Sequence, residues 1–166
     1  MTDTTPRADF NKAAPPEAGT LTNEGVYIGR FRDKDGTRKD WFADIDDARD
    51  KSGKRLSLDF EAAAAYAGNS NALGHNDWTV PSGWKDGAGR PDILDALYRI
   101  KDKFNNRSDG VQGFDDTGPT SANWYRSSSV YAYADHPKIQ RFTSGYQSYD
   151  FEASALSLRS VRSLTV

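Results

Sequence analysis

Two histidines, His75 and His136, stand in separate segments, and no cysteine exists in the 166 residues. A thiolate nucleophile, a disulfide and a thiolate metal site are therefore excluded, and the histidine spacing does not suggest metal ligation. The run Ser127, Ser128, Ser129 offers hydroxyls, but neither a nearby histidine nor a Gly-x-Ser-x-Gly turn accompanies it, so hydrogen bonding within a sheet is the expected role. "DKDG" and "DIDDARD" are acidic, yet neither reproduces the calcium loop with its distant glutamate. His75, Asp77 and an acid of "WFADIDDARD" are the best remaining catalytic grouping. The expectation is no enzyme, no cofactor and no metal.

A different chemistry is written into residues 124–162, "WYRSSSVYAYADHPKIQRFTSGYQSYDFEASALSLRSVR". In "SVYAYAD" a two-residue period sets Tyr131, Tyr133 and Asp135 on one strand face and Val130, Ala132 and Ala134 on the other. His136, Thr143, Ser144, Tyr146, Ser148, Tyr149, Asp150 and Phe151 continue this character around a Ser-Gly turn. Tyrosine supplies large contact area at small entropic cost and serine supplies adaptable hydrogen bonds, as in antibody paratopes. Val130, with these eleven residues, forms the candidate ligand-binding surface. Trp78 and Trp124 are expected to pack in the core, and Arg159 and Arg162 to serve structural ion pairs or a solvated face.

The elements that must position this surface follow from local signals. "GVYIGRFR" and "KDWFADI" flank "DKDGT", the pattern of a hairpin. "LSLDFEAAAAYAGNS" predicts a helix capped by Ser57 or Asp59, ending at Gly68, with Phe60, Ala63, Ala64 and Ala67 inward. "RPDILDALYRIKDKF" predicts a second helix, with Leu94, Leu97, Tyr98 and Lys101 at helical spacing and Ile93 and Ile100 widening the stripe. A polar loop over residues 105–121 leads to short strands with turns at 135–137, 144–145 and near 154. Hairpin, two helices and strands make an α+β order. Residues 1–23, rich in Thr, Pro and Ala, read as a flexible arm, and residues 24–166 as one ligand-binding domain.

"GHNDWTVPS", the "ILDALY" helix, "NWYRSSS", "QRFTSGYQ" and "SLRSVR", in this order, resemble the Lcl C-terminal-domain-like family, a branch of the C-type lectin fold. The resemblance covers roughly the last two thirds of the chain and implies a C-type-lectin-like fold with two helices beside short antiparallel strands. It departs at Lys138, where members often carry an aromatic residue. Within the same fold it is similar to the variable proteins of diversity-generating retroelements, in which adenine-directed mutagenesis alters C-terminal positions. That likeness implies a framework of "SSS", "QRF", "SG" and "LRSVR", with Tyr, Ser and Asp between as products. An invariant Lcl-type adhesin is the alternative reading. The chain lacks the triplets of calcium-dependent sugar-binding lectins and the cysteine of formylglycine chemistry.

The mean hydropathy of −0.80 and 28% charged residues predict no membrane span. A net charge of −2 with both signs interspersed argues against nucleic acid as a partner. The expected partner is a macromolecule, protein or glycan, on a target surface. The first residues lack the apolar core of a secretory signal, so virion or cell-surface association would use another route.

Overall fold

The computed structural model describes residues 7–117, 121–130 and 136–166. Among the described residues, seven strands form two antiparallel sheets, and two helices pack beside them, an α+β fold. The first sheet has the order β1-β2-β3-β7, with β1 at Leu21–Thr22, β2 at Gly25–Arg32, β3 at Arg38–Ala43 and β7 at Val161–Thr165. The second has the order β4-β5-β6, comprising Trp124–Val130, Pro137–Arg141 and Gln147–Tyr149.

The β2–β3 hairpin forms where its turn residues predict it. Asp33 N–H donates to Thr37 O at 2.8 Å, Gly36 takes φ +88°, and Asp35 Oδ1 accepts from Thr37 N at 2.9 Å. The final strand leaves its sequence neighbours and pairs with β3, Ala43 opposite Val161 and Lys39 opposite Thr165. Such a pairing over more than a hundred residues has no local signal.

Residues 156–161 stitch the layers together. Leu58 and Leu156 exchange backbone hydrogen bonds, Arg126 N donates to Ser157 O, Ala48 N to Leu158 O, Asp44 N to Ser160 O, and Thr79 N to Val161 O. Each donation satisfies a backbone group that would otherwise be buried without water.

Helix α1, Phe60–Asn69, starts at Asp59, whose carboxylate accepts from Ala62 N at 2.7 Å. Asp59 is thus the cap, not Ser57. The helix runs past Gly68, which is not left-handed, and closes at Ser70 through a bond to Ala67 O. Ala63 and Ala67 are fully buried, whereas Ala64 is exposed and Phe60 half-buried. The 3.6-residue period turns position 64 away from the 63/67 seam. These small side chains, with Ala48, Val80 and Leu158, make a minor core beneath β4.

Helix α2, Ile93–Ile100, is capped by Asp92, which accepts from Asp95 N at 2.9 Å. Ile93, Leu94 and Leu97 are buried in the main core with Val26, Ile28, Trp41, Phe104, Phe114, Tyr125, Phe142 and Val161. Lys101 opens a 3-10 turn and keeps its ammonium on Asp102 and Asp116, at 3.1 and 3.0 Å.

The N-terminal segment lies along the first sheet from residue 7 onward. Asn23 N donates to Ala8 O, the Phe10 ring meets Phe42 edge-on at 4.9 Å, and Arg30 Nη2 donates to Lys12 O. Leu21 and Thr22, assigned to the arm from composition, are buried strand residues. Among the described residues, no helix is long and apolar enough to cross a membrane.

Candidate binding surface

The β5–β6 hairpin builds the surface. Gly145 N donates to Arg141 O at 2.7 Å and Arg141 N to Tyr146 O at 2.8 Å, closing a turn over residues 141–146. Gly145 has φ +78°, and a Cβ on it would lie 2.5 Å from the Tyr98 ring, so both backbone and space demand glycine. The turn projects Tyr146 outward, 64% exposed, with Ser144 exposed and Thr143 half-buried. Four of the five exposed large apolar side chains among the described residues belong to the expected surface: Val130, Tyr146, Tyr149 and Phe151. His136 stacks parallel to Tyr149, centroids 5.7 Å apart, and meets Phe151 edge-on at 5.0 Å. Asp150 is half-buried, its Oδ1 accepting from Phe151 N at 2.7 Å.

Register decides which side chains share a face. Trp124 pairs with Arg141, Arg126 with Ile139 and Ile139 with Ser148, so these five residues point to one side of the second sheet. A groove of about 530 Å³ lies there, lined by Ser121, Trp124, Ile139, Arg141, Ser148, Tyr149, Asp150 and Leu156. Trp124 is half-buried in this groove, not in the core, because alternation sends its neighbour Tyr125 inward against Phe114 and Phe142. Tyr146 meets the Trp124 ring edge-on at 6.1 Å. Tyr131, Tyr133 and Asp135 lie outside the described residues; Val130 and His136 flank them.

The remaining expected residues are structural. Trp78 is 2% exposed and donates from Nε1 to Ala72 O at 3.0 Å. Arg159 is buried, not solvated. Its Nε meets Asp47 Oδ1 at 2.7 Å, its Nη atoms donate to the carbonyls of Asp44, Gln112 and Gly113, and its guanidinium lies 4.2 Å from the Phe114 ring centre. Tyr125 donates its hydroxyl to the same Asp47, and burial first, then that carboxylate, pushes its pKa well above the ordinary value. Arg162 bridges Asp77, at 2.6 Å, and Glu24. His75 Nε2 lies 2.9 Å from Asn23 O and 3.5 Å from Glu24. His75 and Asp77 therefore share an ion-pair network around Arg162, while Asp47 is held elsewhere by Arg159 and Arg55.

Two hydroxyls of the serine run hydrogen-bond within the sheet and its support: Ser127 Oγ donates to Lys138 O at 2.6 Å, Ser129 Oγ to Asp86 at 2.5 Å, and Gly83 N to Ser129 Oγ at 2.9 Å, whereas Ser128 Oγ is buried with no partner among the described residues. Lys138 is buried. Its ammonium sits 4.4 Å from the Trp84 ring centre and donates to Lys85 O, an ordered home that burial nonetheless makes less favourable to charge. No group of three or more metal-ligating side chains occurs among the described residues.

Composition alone missed two groove-face arginines. Arg141 sits with its guanidinium 5.9 Å from the Trp124 ring centre, and Arg126 is fully buried. The strand register of "WYR" against "IQR" is the signal that would have found them. Compared with known proteins, the chain matches no family model and no curated sequence.

Proposed function

We propose that this chain is a recognition protein of C-type-lectin-like fold, a variable protein of a diversity-generating retroelement whose C-terminal surface binds varied macromolecular targets. The supporting observation is a partition by residue type. The expected framework is largely inside: Ser127 and Ser129 of "SSS", Gln140 and Phe142 of "QRF", and Leu158 to Arg162 of "LRSVR" are buried. The Tyr and Phe side chains between them, Tyr146, Tyr149 and Phe151, are 48–66% exposed. A surface organised this way can change its outer residues without disturbing the sheet that carries them.

The physical capacity matches. Each tyrosine offers an apolar ring with a hydroxyl at its tip, and covering such a ring on binding contributes on the order of 1.5–3 kcal/mol. Few such anchors dominate an interface, and the surrounding Ser144, Ser148, Asp150 and His136 supply polar contacts.

The reading is tested with a displayed library of random peptides panned on the full chain. Binders should lose at least about tenfold in affinity for Tyr146→Ala/Tyr149→Ala, with unchanged circular dichroism. Unchanged affinity contradicts the assignment of the surface, and loss of the fold would place these tyrosines in the core.

A further inference from the structure

The Arg141 guanidinium makes no ion pair or hydrogen bond among the described residues, and its buried Nε has no partner among them. It rests over Trp124 inside the groove, beside Ser121, Ser148 and Tyr149. One pleat further along the same face stands Arg126, 0% exposed. Its Nη2 donates to Ser154 O, while Nε and Nη1 find no acceptor. Burial makes its charge less favourable, and Asp150 and Asp59 oppose this from a distance without forming an ion pair. Buried guanidinium donors left open cost free energy, and of the two arginines Arg141 lines the groove and can present its guanidinium to an arriving anion.

We infer that this groove binds a carboxylate carried on an acidic segment of a protein partner, held by the Arg141 guanidinium against the Trp124 ring. This rests on the recognition reading above and names its ligand chemistry. Guanidinium geometry suits a carboxylate, which can accept two parallel N–H bonds. A protein is the source because the exposed Tyr149 lines the groove and the exposed Tyr146 meets its Trp124 edge-on, rings that the apolar neighbours of the acid would cover. Asp150 lines the same groove and opposes any acid, so only a carboxylate seated directly on the Arg141 guanidinium gains from the site.

The panning experiment separates this inference from the broader reading. Binders should be enriched in Asp or Glu, and changing that acid to its amide should weaken binding at least about tenfold. Arg141→Gln should do the same, Arg141→Lys should lose less, and Arg99→Gln, on an exposed arginine of α2, should change nothing. The peptide amide reports on the contact even if Arg141→Gln disturbs the fold. Binders without acid enrichment, equally tight to Arg141→Gln but weakened by Tyr146→Ala/Tyr149→Ala, overturn the carboxylate site and leave the surface standing. No binders, or binding only to sialylated glycans, overturns the protein partner.

Discussion

Arg141 and Trp124 face each other across the β4–β5 ladder, guanidinium to indole at 5.9 Å, on the side of the sheet turned away from the core. Trp124 is therefore part of a surface, whereas Trp78 is enclosed. Trp78→Ala should cost about 3–5 kcal/mol in urea unfolding. Trp124→Ala should cost clearly less while removing binding. Equal losses of stability would place both rings in the core.

The Arg159–Asp47 pair, with both side chains 0% exposed, ties the 156–161 spine to the segment after β3. Asp47→Ala leaves the buried Arg159 guanidinium without its counter-ion and the Tyr125 hydroxyl without its acceptor, and should cost about 3–5 kcal/mol. Arg99→Ala, removing a pair at the solvent-exposed end of Asp95, should barely shift the midpoint. A small effect from Asp47→Ala would contradict the burial described.

Asp44 predicts a pH dependence. Burial, opposed by a hydrogen bond from Ile45 N and the nearby Arg159, pushes its carboxyl from 3.8 up to about 6. The folded chain thus binds this proton more tightly than the unfolded chain does. Its stabilising contribution is complete below about pH 4 and is lost as pH rises through about 6. Asp44→Asn should be more stable than the parent at pH 7 by about 1–3 kcal/mol, the gain vanishing near pH 4. A gain that instead grew on acidification would refute the assignment.

At Gly145, alanine meets both the positive φ and the Tyr98 ring. Gly145→Ala should destabilise by about 1–3 kcal/mol. Adding Tyr98→Ala relieves the clash but not the backbone strain, so the double variant should be more stable than the two single losses summed. Strict additivity in denaturation would contradict the contact.

Local chemistry was readable where a few adjacent residues decide the outcome. "DKDG" makes the β2–β3 turn, and Asp59, one of two expected caps, starts α1, because each needs only its own hydrogen-bond partners. The pairing of β7 with β3 was not readable, since it depends on the intervening chain having folded. Trp124 was misplaced for a related reason: a large ring suits core and groove equally, and only register against Arg141 chooses. Gly68 looked like a helix stop, yet the chain turns at Ser70. Exposure of Tyr146, Tyr149 and Phe151 was legible because polar Gln147, Ser148, Asp150 and Glu152 stand between and beside them next to a Ser-Gly turn.

On the proposed reading, the exposed positions vary while the buried framework does not. Deep sequencing of the gene's 3′ end from a population of source cells tests it directly. The account predicts substitutions traceable to adenines in a nearby near-repeat, clustered in the codons of residues 130–151. Codons for Ser127 to Ser129, Gln140 to Phe142 and Leu158 to Arg162 should be spared. A uniform sequence with no near-repeat nearby would contradict diversification and favour a fixed adhesin.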